Sequence, residues 1–251
     1  MGLRPATTSA PVQWAVERMA GQQGVALVVP SGFGAYARLL HPLADGTRWA
    51  AAAPAYLSPG TQRYPYPFPE LVALTEGDMG VALVDALVPL LRAATGAPQQ
   101  CHFGLWRGWG GLHPGSQVFV SWHDTGSQTP GLLSPGSTFE RHESTQPPSQ
   151  DAATACSVFV DACAVQPSWG ARDMLFFDGP IENVVAIGTW SPFDARHRRG
   201  LQWWWPADRA WFVATEIDYP WTYLAGTPGL IDAIIDHPTI EAVRVEHSDM
   251  W

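Results

Sequence analysis

Two acidic residues near the end of a predicted strand have the types and spacing that could support chemistry. Glu216 and Asp218 stand two positions apart, so both side chains should project from one face of an extended segment. With Trp211 and Trp221 beside them, they resemble the pair of a glycosidase, in which one carboxyl group carries a proton and the other a charge. The simpler interpretation is a solvent-facing strand on which Arg209, across a turn, pairs with the acids. The sequence favours this structural interpretation.

Tryptophan is unusually frequent, with 13 in 251 residues. In an extended strand, Trp203 and Trp205 share one face while Trp204 points to the other. The triplet is therefore buried only if both faces of the sheet are covered, and otherwise it contributes an exposed aromatic surface. Exposed indole rings are typical of interfaces and ligand grooves, because they combine a large apolar area with a hydrogen-bond donor. The candidate binding residues are Trp203, Trp205, Trp211, Glu216, Asp218 and Trp221.

Histidine spacing predicts no metal site. His102, His113 and His123 fall within 22 residues, and Asp124 follows the last, but this spacing matches no metal-ligand motif. The phosphate-binding patterns GxGxxG and GxxxxGK[ST] and the hydrolase pattern GxSxG are absent from the sequence. We therefore predict no metal and no cofactor, and the sequence leaves open whether the chain is an enzyme.

The three cysteines predict free thiols. Cys101, Cys156 and Cys163 cannot all pair with one another, and none belongs to a CxxC motif. Small free cysteines commonly pack as apolar residues. We expect buried thiols in a reducing compartment, and hence a cytoplasmic protein.

The net charge of the chain disfavours two classes of partner. All 14 basic residues are arginine, against 23 acidic residues, for a net charge of −9. This balance disfavours nucleic acids and anionic membranes, and no apolar run approaches the roughly 20 residues of a membrane span. The acidic excess is concentrated in residues 201–251, which hold two arginines and eight acids. A charged partner would therefore be a basic protein that meets this region, although an acidic surface that serves only solubility is the alternative.

Hydrophobic patterns predict an α+β fold with a mainly antiparallel sheet and a few flanking helices. Helices are expected at residues 9–24, at residues 79–95 with Asp78 as the N-cap, and from Pro228 with Thr227 as the cap. A helical turn is expected near residues 181–187. Predicted strands occupy residues 33–40, 101–107, 117–122, 157–165, 173–177, 201–205, 210–217 and 242–246. The second and third of these strands are predicted to form a hairpin.

A polar segment interrupts this pattern. Residues 124–150 are dominated by Ser, Thr, Gln, Gly and Pro, which is typical of a flexible loop or linker. We interpret it as a flexible insertion in a single α+β domain that spans residues 1–251. A linker between two domains is the alternative.

Three stretches of the sequence carry a resemblance: CHFGLWRGWG from Cys101, LFFDGPI from Leu175 and WPADRAWFVATEID from Trp205. They are similar to a group of uncharacterised, tryptophan-rich actinobacterial proteins of unknown function. The similarity runs through roughly residues 70–246. It implies a shared fold, and it implies no reaction, cofactor or catalytic residue.

These observations favour a cytoplasmic, non-catalytic protein that binds another macromolecule through an acidic, tryptophan-bearing surface. An inhibitor or immunity-type partner of a basic protein would fit this description. The alternative is a carbohydrate-active enzyme or sugar-binding module that uses Trp205, Trp211, Glu216 and Asp218. A third possibility is self-association through the aromatic surface, and the oligomeric state is not fixed by the sequence.

Overall fold

The structure is a computed structural model that describes residues 4–43, 45–57, 76–109, 118–120, 140–142, 165–167, 172–187, 189–190 and 198–250. Its α-helices in these ranges are α1 (Gln13–Met19), α2 (Val25–Val28), α3 (Trp49–Ala52), α4 (Gly80–Ala93) and α5 (Pro228–Ile235). Short 3-10 helices occupy Ala10–Val12, Pro54–Leu57 and Ile181–Ala186. The last of these confirms the predicted helical turn.

The strands in the same ranges are β1 (Arg4–Pro5), β2 (Ala35–Leu40), β3 (Cys101–Trp106), β4 (Val118–Val120), β5 (Glu140–His142), β6 (Val165–Pro167), β7 (Asp173–Gly179), β8 (Thr189–Trp190), β9 (Arg198–Arg199), β10 (Trp203–Pro206), β11 (Phe212–Thr215), β12 (Trp221–Gly226) and β13 (Ala242–Val245). Nine of them form one antiparallel sheet in the order β1-β7-β3-β10-β11-β12-β2-β13, with β6 also paired to β7. This sheet and the helices beside it confirm the predicted α+β fold.

The predicted hairpin between residues 101–107 and 117–122 is wrong. β3 pairs with β7 and β10, whereas β4 pairs with β5 in a separate two-stranded sheet. A glycine-rich turn between two strand patterns is a local signal, and strand order is decided by non-local packing. The proposed insertion at residues 124–150 lies outside the described residues except for β5, so it stays a prediction.

Both faces of the large sheet are covered. One face packs against α4 and α5 through side chains such as Phe103, Trp204 and Leu224. The other face packs against the N-terminal layer, which we define as residues 10–30 and 45–57 on either side of β2, through Trp203 and Trp205 among others. The tryptophan triplet in β10 is therefore buried on both sides, as strand alternation requires when two layers enclose a sheet.

The helix ends show which local signals were reliable. Thr227 caps α5, because its Oγ1 accepts a hydrogen bond of 3.3 Å from the Leu230 N–H, as predicted. The expected Asp78 cap is wrong: Met79 occupies the N-cap of α4, and Asp78 Oδ1 accepts from the Gly80 N–H in a tight turn. The first helix stops at Met19 rather than near residue 24, because Ala20 is extended and Gly21 has a positive φ of 71°.

Two glycines in the N-terminal layer offer a matched test of the packing. Gly21 and Gly24 have φ values of +71° and +61°, but a Cβ on Gly24 would collide with the Asp249 carbonyl oxygen, whereas one on Gly21 would meet nothing within 4 Å. We expect Gly21→Ala to lower the free energy of unfolding by about 1 kcal/mol and Gly24→Ala by about 2–3 kcal/mol. Urea unfolding of both variants measures the difference. Equal losses would contradict the contact between α2 and the chain near Asp249.

Candidate functional site

Glu216 and Asp218 follow β11 and share one arginine. Arg172 donates from Nη2 to Asp218 Oδ2 at 2.9 Å and from Nη1 to Glu216 Oε1. Glu216 Oε2 also accepts from the Asp218 N–H at 2.9 Å. The Glu216 side chain is 3% exposed and the Asp218 side chain 69%. The predicted juxtaposition of the two carboxylates is therefore present, with one carboxylate inside the protein and one at the surface.

The arginine partner differs from the one expected. Arg209, predicted to pair with these acids, instead places its guanidinium 4.9 Å from the ring centroid of Trp14. Its φ of +56° belongs to the turn between β10 and β11, and that turn directs the side chain toward the N-terminal layer. Arg172, which directly precedes β7, lies beside the two carboxylates instead.

A cleft opens beside these three charged groups. We define the Arg172 cleft by the residues that line it: Val28, Trp106, Arg172, Met174, Gln202, Trp203, Thr215, Glu216 and Ile217, with Asp218 at its rim. Its space of about 300 Å³ includes open solvent, and the enclosed part is about as large as one water molecule.

Hydrogen bonds fix one wall of the cleft. Gln202 Oε1 accepts from the Trp106 backbone N–H at 2.7 Å and from Trp109 Nε1 at 3.3 Å. Gln202 Nε2 donates to the Gly200 carbonyl at 3.0 Å. The Arg172 guanidinium lies 5.8 Å from the ring centroid of Trp106, within range of a cation–π interaction. The wall is therefore rigid, and its charged groups are preorganised.

The charge of the cleft is its clearest chemical property. Among the described residues, two carboxylates contact one guanidinium beside apolar and aromatic side chains. The acid of a glycosidase needs a carboxyl group that can reach the substrate, whereas both carboxylates here are bonded to the guanidinium of Arg172. The arrangement is suited to holding a cation and poorly suited to proton transfer by Glu216 or Asp218.

The expectation of an exposed tryptophan surface is wrong at the four residues named for it. Trp203, Trp205, Trp211 and Trp221 are between 0% and 4% exposed. Eight of the nine tryptophans whose side chains the structure describes are buried, and Trp106 is the partly exposed one. The physical reason is the N-terminal layer on one face and α4 with α5 on the other, which together cover both sides of the strands.

A second polar group was missed by the sequence analysis. His102 on β3 and Asp178 on β7 are direct cross-strand partners, and His102 Nδ1 lies 2.7 Å from Asp178 Oδ1. The imidazole ring lies against Trp205, with 5.2 Å between ring centroids and a tilt of 32°. Because 76 residues separate the pair, only knowledge of the β3–β7 register could have revealed it.

The remaining predictions about ligands and thiols are only partly covered by the structure. His113, His123, Cys156 and Cys163 lie outside the described residues. Within those residues, no group of three or more His, Cys, Asp or Glu side chains could hold a metal ion. Cys101 is a free thiol, and burial, helped by Asp208, raises the pKa of Cys101 to about 12. It therefore stays protonated and unreactive near neutral pH.

Comparisons with known proteins identify no relative of the chain. No family model, curated protein or solved structure matches the chain. None of the helices among the described residues is both long and apolar enough to cross a lipid bilayer.

Proposed function

We propose that the chain binds a basic protein and that the rim of the Arg172 cleft contacts a lysine or arginine side chain of this partner. The observation that carries this proposal is the pair of carboxylates, Glu216 and Asp218, that share the guanidinium of Arg172 at a solvent-exposed rim. An inhibitor or immunity-type partner of a basic protein is one protein of this kind. We place the interaction in the cytoplasm, where the thiol of Cys101 would stay reduced.

The walls of the cleft support a long cationic side chain. The methylene stem of a lysine prefers apolar surface, such as that of the partly exposed Trp106 and Ile217, while its ammonium group stays near water and a negative charge. The exposed carboxylate of Asp218 at the rim meets that requirement. Glu216 adds a negative charge from inside the protein, and Arg172 fixes the position of the Glu216 carboxylate.

Two of the six other acidic residues in the C-terminal region form ion pairs. Asp232 pairs with Arg244, and Glu241 pairs with Arg48 at 3.5 Å. The acidic excess of residues 201–251 is thus only partly compensated at the surface. The net charge of −9 would still steer a basic partner toward the protein over longer distances.

The carbohydrate alternative receives less support from this geometry. Trp205 and Trp211 are buried, so neither can stack on a sugar. Trp106 has Arg172 over its ring and the Trp109 ring against it at 4.9 Å and 76°. An open indole face, which sugar stacking requires, is therefore missing from these three residues.

Heptalysine is a suitable probe for the cleft. By isothermal titration calorimetry, we expect it to bind the intact protein and to bind more weakly at about 300 mM than at about 50 mM salt. Asp218→Asn should weaken binding about fivefold, because it removes the exposed charge at the rim. The matched control is Asp236→Asn, which removes an exposed carboxylate with no ion pair among the described residues.

A second variant tests the cleft itself. Ile217→Arg would place a cation at the lining of the cleft and should abolish binding of heptalysine, provided that thermal unfolding shows a folded protein. Equal weakening by Asp218→Asn and Asp236→Asn would show diffuse attraction to an acidic surface and contradict the proposal. Binding of heptaglutamate with the same affinity would contradict it as well.

A further inference from the structure

Two arginines meet over one buried tryptophan of the N-terminal layer. The guanidinium carbons of Arg18 and Arg209 lie 5.2 Å and 4.9 Å from the ring centroid of Trp14, within the range of cation–π interactions. These two distances limit the separation of the guanidinium carbons to about 10 Å. Both arginines are exposed, whereas Trp14 is 8% exposed. We call Arg18 and Arg209 the arginine pair; neither of them lines the Arg172 cleft.

The charge of the arginine pair is not compensated within the described part of the chain. The ion pairs found there all use other residues, although the whole chain has 23 acids and 14 arginines. Asp208 precedes Arg209, but its carboxylate accepts from the Gly96 N–H at 2.8 Å, beyond the end of α4. Glu17 precedes Arg18 and lies about 100° around α1 from it. The acidic protein therefore carries a local cationic surface.

The backbone at Arg209 is of a kind that favours glycine. The Arg209 N–H donates to the Pro206 carbonyl at 2.9 Å and closes a four-residue turn between β10 and β11. Arg209 then has a φ of +56°, the left-handed conformation in which hairpin turns of this kind typically place glycine. A residue with a side chain is strained there, so the turn itself gives no reason for an arginine.

Arg18 is held in a defined position. Its Nη1 donates to the Ser31 carbonyl at 2.8 Å. The absence of a side chain on Gly32 leaves room for this guanidinium, because a Cβ there would lie 2.5 Å from Arg18 Nη1. A guanidinium has five N–H donors, and the bond to Ser31 uses one of those of Arg18. Both guanidiniums are oriented on Trp14 before a ligand arrives, which lowers the entropic cost of binding.

We propose that the arginine pair binds the phosphate monoester group of a ligand. Guanidinium groups match the oxygens of phosphates and of carboxylates in their geometry. At pH 7 a phosphate monoester carries about 1.5 to 2 negative charges and three strong acceptor oxygens, so one such group can serve two guanidiniums. A carboxylate has one charge and two oxygens, and it serves one guanidinium well. The arginine pair therefore selects phosphate monoesters over carboxylates.

Calorimetric titration of the full chain with phenyl phosphate, in a buffer without phosphate, tests the proposal. We expect saturable binding that is at least about tenfold tighter than that of benzoate, which has the same ring and a carboxylate. Binding should weaken from about pH 7.5 to about pH 5, because phosphate monoesters gain a proton near pH 6 whereas arginine stays charged. Diffuse attraction would strengthen instead, since the protein becomes less negative as the pH falls.

A second titration identifies the source of the phosphate group. The probe is an otherwise uncharged pentapeptide with one central phosphoserine. Tighter binding of this peptide than of phenyl phosphate would support a phosphorylated side chain of another protein as the ligand. Tighter binding of phenyl phosphate would support a phosphorylated small molecule.

Substitutions of the arginine pair assign the binding to its residues. Arg209→Gly removes the guanidinium and places glycine at a φ of +56°, so the variant should stay folded and bind phenyl phosphate at least about tenfold more weakly. Arg18→Met keeps a long apolar stem beside Trp14 and should weaken binding to a similar extent. The matched control is Arg92→Met, which removes an exposed arginine near the end of α4 and should leave binding unchanged.

Two results would overturn the proposal. One is the lack of saturable binding of either phosphate probe by the folded, intact protein, which would leave the arginine pair as a cover for Trp14. The other is equal weakening by Arg209→Gly and Arg92→Met, which would show attraction to positive charge in general. Because the arginine pair and the Arg172 cleft use different residues, failure here leaves the heptalysine result unaffected.

Discussion

Trp211→Ala should lower the free energy of unfolding by about 3–5 kcal/mol. The indole of Trp211 is fully buried between the sheet and α4, and it meets Trp204 edge-on with 5.5 Å between ring centroids. Its Nε1 donates to the Leu91 carbonyl at 2.9 Å. That carbonyl also accepts from the Ala94 N–H, so the variant does not leave it unsatisfied. The loss should therefore come mainly from the cavity that the missing ring leaves under α4.

Denaturant unfolding followed by circular dichroism measures this effect. Val81→Ala is the matched control on α4, because the Val81 side chain is 48% exposed and its truncation should change stability by less than about 0.5 kcal/mol. A Trp211→Ala loss below about 1 kcal/mol would contradict the packing of α4 on this face of the sheet.

The sequence predicted those elements whose signals are local. The Thr227 cap and the opposite faces of Trp203 and Trp204 both follow from neighbouring residues, and the structure contains each of them. Strand β12 was missed although it lies inside the sheet. All six of its residues are buried, so it lacks the polar alternation by which half-buried strands are recognised.

The candidate site was predictable only in part, for a related reason. The spacing of Glu216 and Asp218 is enough to place them together, and both do contact Arg172. Arg172 lies 44 residues before Glu216 in the chain, and its position depends on where β7 enters the sheet. The burial of the tryptophans depends on the N-terminal layer. No local sequence pattern predicts that this layer packs against the sheet. Long-range pairing therefore decided both the partner and the exposure.

Arg172→Met should lower the free energy of unfolding by about 3–5 kcal/mol. The Glu216 side chain is 3% exposed, so removal of the guanidinium leaves a carboxylate inside the protein without its cationic partner. Denaturant unfolding of the variant measures the loss. Asp218→Asn is the control, because its side chain is 69% exposed and an exposed ion pair contributes at most about 1 kcal/mol. Equal losses in the two variants would contradict the burial of Glu216.

A second substitution separates the cost of an unpaired charge from the loss of arginine packing. In Arg172→Met combined with Glu216→Gln, the buried group is neutral, so most of the stability should return. The single Arg172→Met variant also raises the negative charge of the Arg172 cleft. If it is still folded at low temperature, it should bind heptalysine at least as tightly as the intact protein, although it is much less stable. Weaker binding would contradict the proposal that the negative charge of the two carboxylates attracts the ligand.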